Sequence, residues 1–170
     1  MTRRVLGPHE KLAGYVTTMA SIVGRTGPEL ERSLGFGDGS LADGFLVYAL
    51  EEPVGVDDFE WKDRTTYSDG WHYDWTIDEY VQRRDELRAH VGKRNDYDEA
   101  RTDAELLAFM GAQARRLNVR TGPERIVKVL AKGRIADFPD SRLRNVPQWR
   151  LRVDKAFTRL ADVGPGARFV

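Results

Sequence analysis

The sequence contains no cysteine, and only three of its 170 residues are histidine. Without cysteine there are no disulfides, thiolate metal sites or cysteine nucleophiles, and a reducing cytoplasm is the expected location, with leaderless export left open. His9, His72 and His90 do not have the spacing of a metal-ligand set. We therefore predict no metal site, and the sequence identifies no cofactor.

Long apolar runs are also missing. No stretch approaches the roughly 20 apolar residues that span a bilayer, so we expect no membrane partner. Apolar residues make up 41% and charged residues 32% of the chain, which is typical of a folded protein. The length fits a single domain over residues 1–170.

The net charge is zero, but the charges are unevenly distributed. Residues 35–111 contain eight basic and nineteen acidic side chains, for a net charge of −11. Residues 112–170 contain fourteen basic and five acidic side chains, for a net charge of +9. Either residues 112–170, the basic third, bind a polyanion, or they pack beside residues 35–111, the acidic middle, so that the two charges compensate each other.

Helix signals are clearest near the N-terminus. An apolar stripe with i, i+3, i+4 spacing predicts a first helix between about Pro8 and Gly24. Thr26 and Glu29 have capping-box spacing, so a short second helix should follow and end near Gly35. The same spacing predicts two central helices, one following Thr76 and ending near Val91, and one over about 103–118.

Strand signals occupy the remaining segments. FLVYAL (45–50) predicts a buried strand, and the glycine-rich stretch 35–44 before it is interpreted as a connector rather than a phosphate loop. IVKVL (126–130) and QWRLRVDKAF (148–157) predict two basic C-terminal strands. Helices and strands in blocks indicate an α+β fold with a mostly antiparallel sheet. It would combine N-terminal helices, a hairpin at 59–75, two central helices and the basic strands.

The segment RTTYSDGWHYDWT (64–76) predicts a hairpin with a two-residue turn at Asp69-Gly70. That turn pairs Arg64 with Trp75, and the pleat then sorts the side chains onto two faces. One face carries Tyr67, His72 and Asp74, and the other carries Arg64, Trp71 and Trp75. The first suits proton transfer, and the second suits stacking on a base next to a phosphate.

The helix after the hairpin places two arginines near its apolar stripe, Arg84 and Arg88. They either extend their charged ends to solvent or bind an anion. In the basic third, Lys128, Arg150 and Arg152 are the predicted phosphate contacts, with Arg150 and Arg152 on one strand face.

Three functions are compatible with these residues. The first is an enzyme acting on RNA or a nucleotide-type substrate, such as a leaderless bacterial toxin or effector. Its predicted catalytic residues are His72, Asp74, Arg64 and Arg84, and its predicted ligand-binding residues are Tyr67, Trp71, Trp75, Arg88, Lys128, Arg150 and Arg152. The second is a nucleic-acid-binding module without catalysis. The third is a protein-interaction module, such as an immunity protein, that uses its acidic 35–111 segment.

Overall fold

The structure is a computed structural model and describes residues 5–62, 74–75, 103–132 and 146–170. Within these residues it is an α+β fold in which antiparallel strands close into a four-stranded barrel. The elements are β1 (His9–Thr18), a 3-10 turn (Met19–Ser21), α1 (Gly27–Leu34), β2 (Phe45–Leu50), β3 (Phe59–Lys62), β4 (Asp74–Trp75), α2 (Asp103–Leu117), β5 (Ile126–Ala131) and β6 (Gln148–Val163).

The N-terminal segment is a strand, so the prediction of a first helix was wrong. Leu12 and Val16 are buried, as the helical stripe requires, but residues four apart also lie on one face of a strand. The segment pairs with β6 from His9↔Thr158 to Thr17↔Gln148, and these distant partners decide its conformation. Val23, which the i, i+3, i+4 spacing of the sequence includes in the predicted apolar stripe, is 50% exposed.

Barrel closure depends on β6, which pairs with β1 along one part of its length and with β2 along another. Val16 lies opposite Trp149, and Leu50 lies opposite Phe157. β5 joins the other edges of β1 and β2, with Thr17 opposite Val127. The ring β1-β5-β2-β6 is therefore complete, and β3 and β4 extend the sheet beyond β6.

A bulge interrupts β6 beside β1. Gly14 pairs with Leu151 but Leu12 pairs with Lys155, so three residues of β6 lie opposite the single residue Ala13. Val153, in the middle of this bulge, is 41% exposed. The alternation of Trp149, Leu151 and Val153 in the sequence predicts that Val153 is buried in the core, and the bulge explains why this prediction is wrong.

The core has two parts, on opposite faces of β2 and β5. The barrel interior receives side chains from all four strands, and Ala114 and Leu117 of α2 close it. The outer face of β2 and β5 is covered by Leu30 and Leu34 of α1. The interior includes Leu12, Val16, Leu46, Tyr48, Leu50, Ile126, Leu130, Trp149, Leu151 and Phe157.

Local signals predict α1 correctly. The Thr26 hydroxyl accepts a hydrogen bond from the Glu29 N–H, and the Glu29 carboxylate accepts one from the Thr26 N–H. Gly35 ends the helix in the left-handed conformation, with φ 85°. The later helix predicted over 103–118 is α2, whereas the one predicted to end near Val91 lies outside the described residues.

The glycine-rich stretch after α1 is held by a carboxylate from that helix. Glu31 is only 7% exposed, and its two oxygens accept hydrogen bonds from the Gly39 N–H (3.0 Å) and the Leu41 N–H (2.8 Å). Since a side chain of the same chain already binds these two N–H groups, they are not open to a phosphate. This agrees with the interpretation of 35–44 as a connector.

Candidate functional site

The first part of β6 alternates between the barrel interior and the outer face. Trp149 and Leu151 are 7% and 1% exposed, whereas Arg150 is half-buried and Arg152 is exposed. The Trp149 indole N–H donates to Gln113 Oε1 of α2 at 2.9 Å, which fixes the inward side of the strand. Arg150 and Arg152 are thus the residues of this stretch that face outward.

The base of the hairpin lies directly beside these arginines. In β3, Phe59 pairs with Leu151 and Glu60 pairs with Arg150. On the other side of β6, Tyr15 of β1 also pairs with Arg150. Arg150 therefore occupies the middle of a three-strand row, between Tyr15 and Glu60.

The register of the hairpin differs from the predicted one. Trp61 lies opposite Trp75, and Lys62 lies opposite Asp74. The predicted two-residue turn instead placed Arg64 opposite Trp75, three residues away. A register shift by an odd number of residues moves every position of a strand to the opposite face of the sheet. Position 75 therefore shares a face with position 61, and position 74 shares a face with position 62. The predicted faces are thus wrong at the hairpin base. The turn sequence alone does not predict this register, because the position of β3 is also set by its pairing with β6.

The structure describes two of the predicted site residues on the hairpin and the following helix. Asp74 and Trp75 are described as the strand β4. The others on the hairpin and the following helix lie outside the described residues: Arg64, Tyr67, Trp71, His72, Arg84 and Arg88. Their roles stay predictions.

Lys128 lies in a different environment from Arg152. It is 2% exposed, it pairs across the sheet with Tyr48, and its Nζ donates to the Tyr15 carbonyl oxygen at 3.2 Å. Tyr48 in turn donates its hydroxyl to the Gly7 carbonyl oxygen at 2.7 Å. The structure therefore separates Lys128 from the outward-facing arginines of β6.

Ion pairs connect the acidic middle with the basic third. Arg125 contacts Glu51 at 2.8 Å, and Lys155 contacts Asp58 at 2.9 Å. Burial, the largest single effect, raises the pKa of Asp58, but the hydrogen bond from the Gly55 N–H and the nearby Lys155 outweigh it and hold the pKa below its ordinary value. Part of the charge asymmetry is thus compensated within the fold.

The outer face of β1, β5 and β6 contains a small pocket under the C-terminal end of α1. It has room for about one water molecule, and its walls include Tyr15, Leu34, Phe36, Val127 and Gln148. The Gln148 Nε2 donates to the Leu34 carbonyl oxygen at 3.3 Å. The Gln148 Oε1 is buried and has no hydrogen-bond partner.

The sequence does not predict this pocket. It is formed by residues from α1, β1, β5 and β6, which the pairing of distant strands brings together. The signal available was Gln148, a polar residue directly before the alternating stretch that begins at Trp149.

The described residues contain neither a cluster of metal ligands nor a membrane-spanning helix. In 5–62, 74–75, 103–132 and 146–170, no three acidic or histidine side chains come together as metal ligands. The helices in these ranges are too short or too polar to cross a bilayer.

Comparisons with known proteins do not identify a family. The chain matches no protein-family model, no curated protein and no solved structure at a significant level.

Proposed function

We propose that this protein binds single-stranded RNA or a nucleotide-type ligand on the outer surface of three adjacent strands, β6, β3 and β4. The observation that carries the proposal is the pairing of β3 with β6 at Arg150. It joins a strand with outward-facing arginines to a hairpin rich in aromatic residues. We call this surface the β6–β3–β4 surface, and Arg150, Arg152 and the hairpin positions define it.

This combination of residues suits a polyanion with exposed bases. Arginines contact phosphates and release bound counterions, while aromatic rings stack on bases without requiring one sequence. Arg152 is exposed, and Arg150 is half-buried two residues before it on the same strand. A strand rises about 3.3 Å per residue, so the two arginines are about 7 Å apart along it.

Catalysis is the second step of the proposal. In an RNA-cleaving enzyme or toxin, His72 would transfer a proton, Asp74 would orient His72, and Arg64 and Arg84 would stabilise developing charge. His72→Ala should then abolish cleavage of a bound RNA and leave its binding unchanged. Equal cleavage by both proteins would contradict the role of His72.

The competing proposal, a protein-interaction module, is less well supported. It requires the acidic 35–111 segment to meet a basic partner protein. Two of the acidic residues in this segment, Glu51 and Asp58, already form ion pairs with basic residues of the same chain. These side chains are therefore less available to a partner.

The binding proposal is tested with fluorescein-labelled single-stranded RNA and fluorescence anisotropy at several salt concentrations. The double variant Arg150→Gln/Arg152→Gln should bind more weakly, and its slope of log affinity against log salt should be shallower by about 1 to 2, because two phosphate contacts are removed.

The matched control is Arg25→Gln/Arg168→Gln. It removes the same charge near the other end of α1, where Arg168 contacts Glu29 at 2.9 Å. This variant should keep the wild-type slope. Binding that does not depend on salt, or equal losses in both double variants, would refute the proposed surface.

A further inference from the structure

Tyr15 lies on the outer face of β1. The residues on either side of it, Gly14 and Val16, are buried, and Val16 belongs to the barrel interior, so the alternation of the strand directs Tyr15 outward. Tyr15 is only half-buried, whereas the other aromatic residues whose exposure the structure describes are all buried. It is therefore the aromatic residue that the described part of the barrel leaves partly accessible to solvent.

The cross-strand partner of Tyr15 is Arg150 of β6. Directly opposed residues in antiparallel strands have Cβ atoms about 4.5–5.5 Å apart on the same face of the sheet. The long side chains of an arginine and a tyrosine at such positions lie side by side. A ligand that contacts Arg150 with a phosphate can therefore reach Tyr15 with the base of the same nucleotide.

The bulge of β6 begins directly beside this pair. Leu151 pairs with Gly14, and the next three residues of β6 lie opposite Ala13. Gly14 has a positive φ angle of 88°, a conformation that glycine often adopts at bulges. Ala13 is the outward residue two positions before Tyr15, and its methyl group is too short to cover a tyrosine ring. Bulges are frequent beside functional sites, because they redirect the side chains around them.

We propose that Tyr15 stacks on a base of bound single-stranded RNA whose phosphate contacts Arg150, so that the binding surface extends from β6 onto β1. An aromatic ring stacks on the flat face that all bases share, so it does not require one sequence. The stack needs no rearrangement of the protein, because Tyr15 is already partly accessible. This inference rests on the proposed RNA binding.

The experiment compares two fluorescein-labelled octamers, oligo(rU) and the same sugar–phosphate chain without bases, by fluorescence anisotropy at pH 7.5. The two octamers carry equal charge, so the wild-type protein should bind oligo(rU) more tightly only if it contacts bases. Tyr15→Leu should weaken the binding of oligo(rU) about tenfold, which is within the range for one stacked base, and should leave the binding of the abasic octamer unchanged. Its slope of log affinity against log salt should equal that of the wild-type protein, because no phosphate contact is removed.

Two further variants at this position separate the ring from the fold. Tyr15→Phe keeps the ring and removes the hydroxyl, so it should bind oligo(rU) as the wild-type protein does. Tyr15→Thr repeats the test with a residue that favours strands, should the leucine variant not fold.

His9→Leu is the matched control on the same strand. His9 is exposed six residues before Tyr15 and on the same face, which places it about 20 Å away along the strand. Removing this ring should leave the affinities for both octamers unchanged.

The outcomes separate the two proposals. Wild-type affinity of Tyr15→Leu for oligo(rU), or equal salt-dependent binding of the two octamers by the wild-type protein, would overturn the stacking role and leave phosphate binding standing. Equal losses for the two octamers in both Tyr15→Leu and Tyr15→Thr would also overturn it, because the residue would then act on the sheet and not on a base. A loss in Tyr15→Phe as large as that in Tyr15→Leu would assign the contact to the hydroxyl instead of the ring. No binding of either octamer by the wild-type protein at low salt would overturn both proposals.

Discussion

The side-chain amide of Asn118 exchanges two hydrogen bonds with the main chain of Val54. The Val54 N–H donates to Asn118 Oδ1 at 2.9 Å, and Asn118 Nδ2 donates to the Val54 carbonyl oxygen at 2.8 Å. The Nδ2 also donates to the Ala114 carbonyl oxygen at 2.8 Å, at the end of α2. One side chain thus fastens the C-terminal end of α2 to the connection between β2 and β3.

Replacing Asn118 with aspartate should destabilise the fold. The donor that faces the carbonyl oxygens of Val54 and Ala114 becomes an acceptor, and oxygens of like polarity then face each other. We expect the free energy of unfolding to fall by about 1–3 kcal/mol. Urea denaturation followed by circular dichroism measures this change. Arg120→Ala, which removes a 3.2 Å contact to the same Oδ1, should cost much less. A wild-type midpoint for Asn118→Asp would refute this role.

Glu31→Gln should destabilise the connection that follows α1. Each carboxylate oxygen of Glu31 accepts one main-chain N–H, from Gly39 and from Leu41, and an amide replaces one of these acceptors with a donor. The expected loss is about 1–3 kcal/mol, measured by urea denaturation. Glu124→Gln is the control, because Glu124 is 54% exposed in a surface ion pair at 3.4 Å. Similar losses in the two variants would show that the buried position of Glu31 is unimportant.

Gly44→Ala should be much more destabilising than Gly39→Ala. Both glycines have positive φ angles, 98° and 79°, so both substitutions place a side chain in the left-handed region, at a cost of about 1–2 kcal/mol. A Cβ at position 44 would also collide with the main-chain oxygen of Val163, whereas a Cβ at position 39 has open space. The total loss for Gly44→Ala should therefore exceed about 3 kcal/mol. Thermal unfolding of the two variants compares them directly, and equal melting temperatures would count against the close approach at Gly44.

The ion pair of Asp58 with Lys155 should make stability depend on pH in the acid range. The pKa of Asp58 is lower in the folded protein than its ordinary value, so the unfolded chain binds the proton first as the pH falls. The stabilisation is therefore complete above about pH 4, the ordinary value for aspartate, and is lost as the pH falls through the folded pKa.

Asp58→Asn removes this titration. Its melting temperature should fall less steeply than that of the wild-type protein between about pH 5 and pH 3, because the carboxyl group with the lowered pKa is no longer present. Glu52 provides an internal comparison. The hydrogen bond from the Ala156 N–H, followed by the nearby Lys11, holds its pKa below the ordinary value, so it continues to titrate in the variant. Parallel curves for the two proteins would contradict the assignment to Asp58.

The sequence predicts those parts of the fold that depend on neighbouring residues. The capping box of Thr26 and Glu29 correctly places α1, and the apolar run FLVYAL is β2. β1 could not be recognised in the same way, because Leu12 and Val16 fit a helix and a strand equally well. Its conformation is decided by β5 and β6, which come more than 100 residues later.

In the candidate site, too, neighbouring residues predict some features, and distant strands determine the others. The sequence predicts an alternation of apolar and basic residues from Trp149 to Arg152. In the structure Trp149 and Leu151 are buried, whereas Arg150 is half-buried and Arg152 is exposed. The pairing of Arg150 with both Tyr15 and Glu60 depends on the order of strands in the sheet, and no local sequence pattern predicts that order. Likewise, the bulge that exposes Val153 arises where β6 must follow β1 through a change of register.

The strand pairings that close the barrel imply an order in which the strands pair during folding. β1 and β6 pair residues that are about 130 to 150 positions apart, such as Thr17 with Gln148 and His9 with Thr158. β2 also takes β6 as a neighbour, so both strands have an unpaired edge until the last strand arrives. During synthesis the N-terminal strand therefore leaves the ribosome long before its partner. We expect folding in the millisecond-to-second range that is typical of proteins with pairings between distant residues. The pairing of β6 with β1 and β2, which closes the barrel, should be a late step.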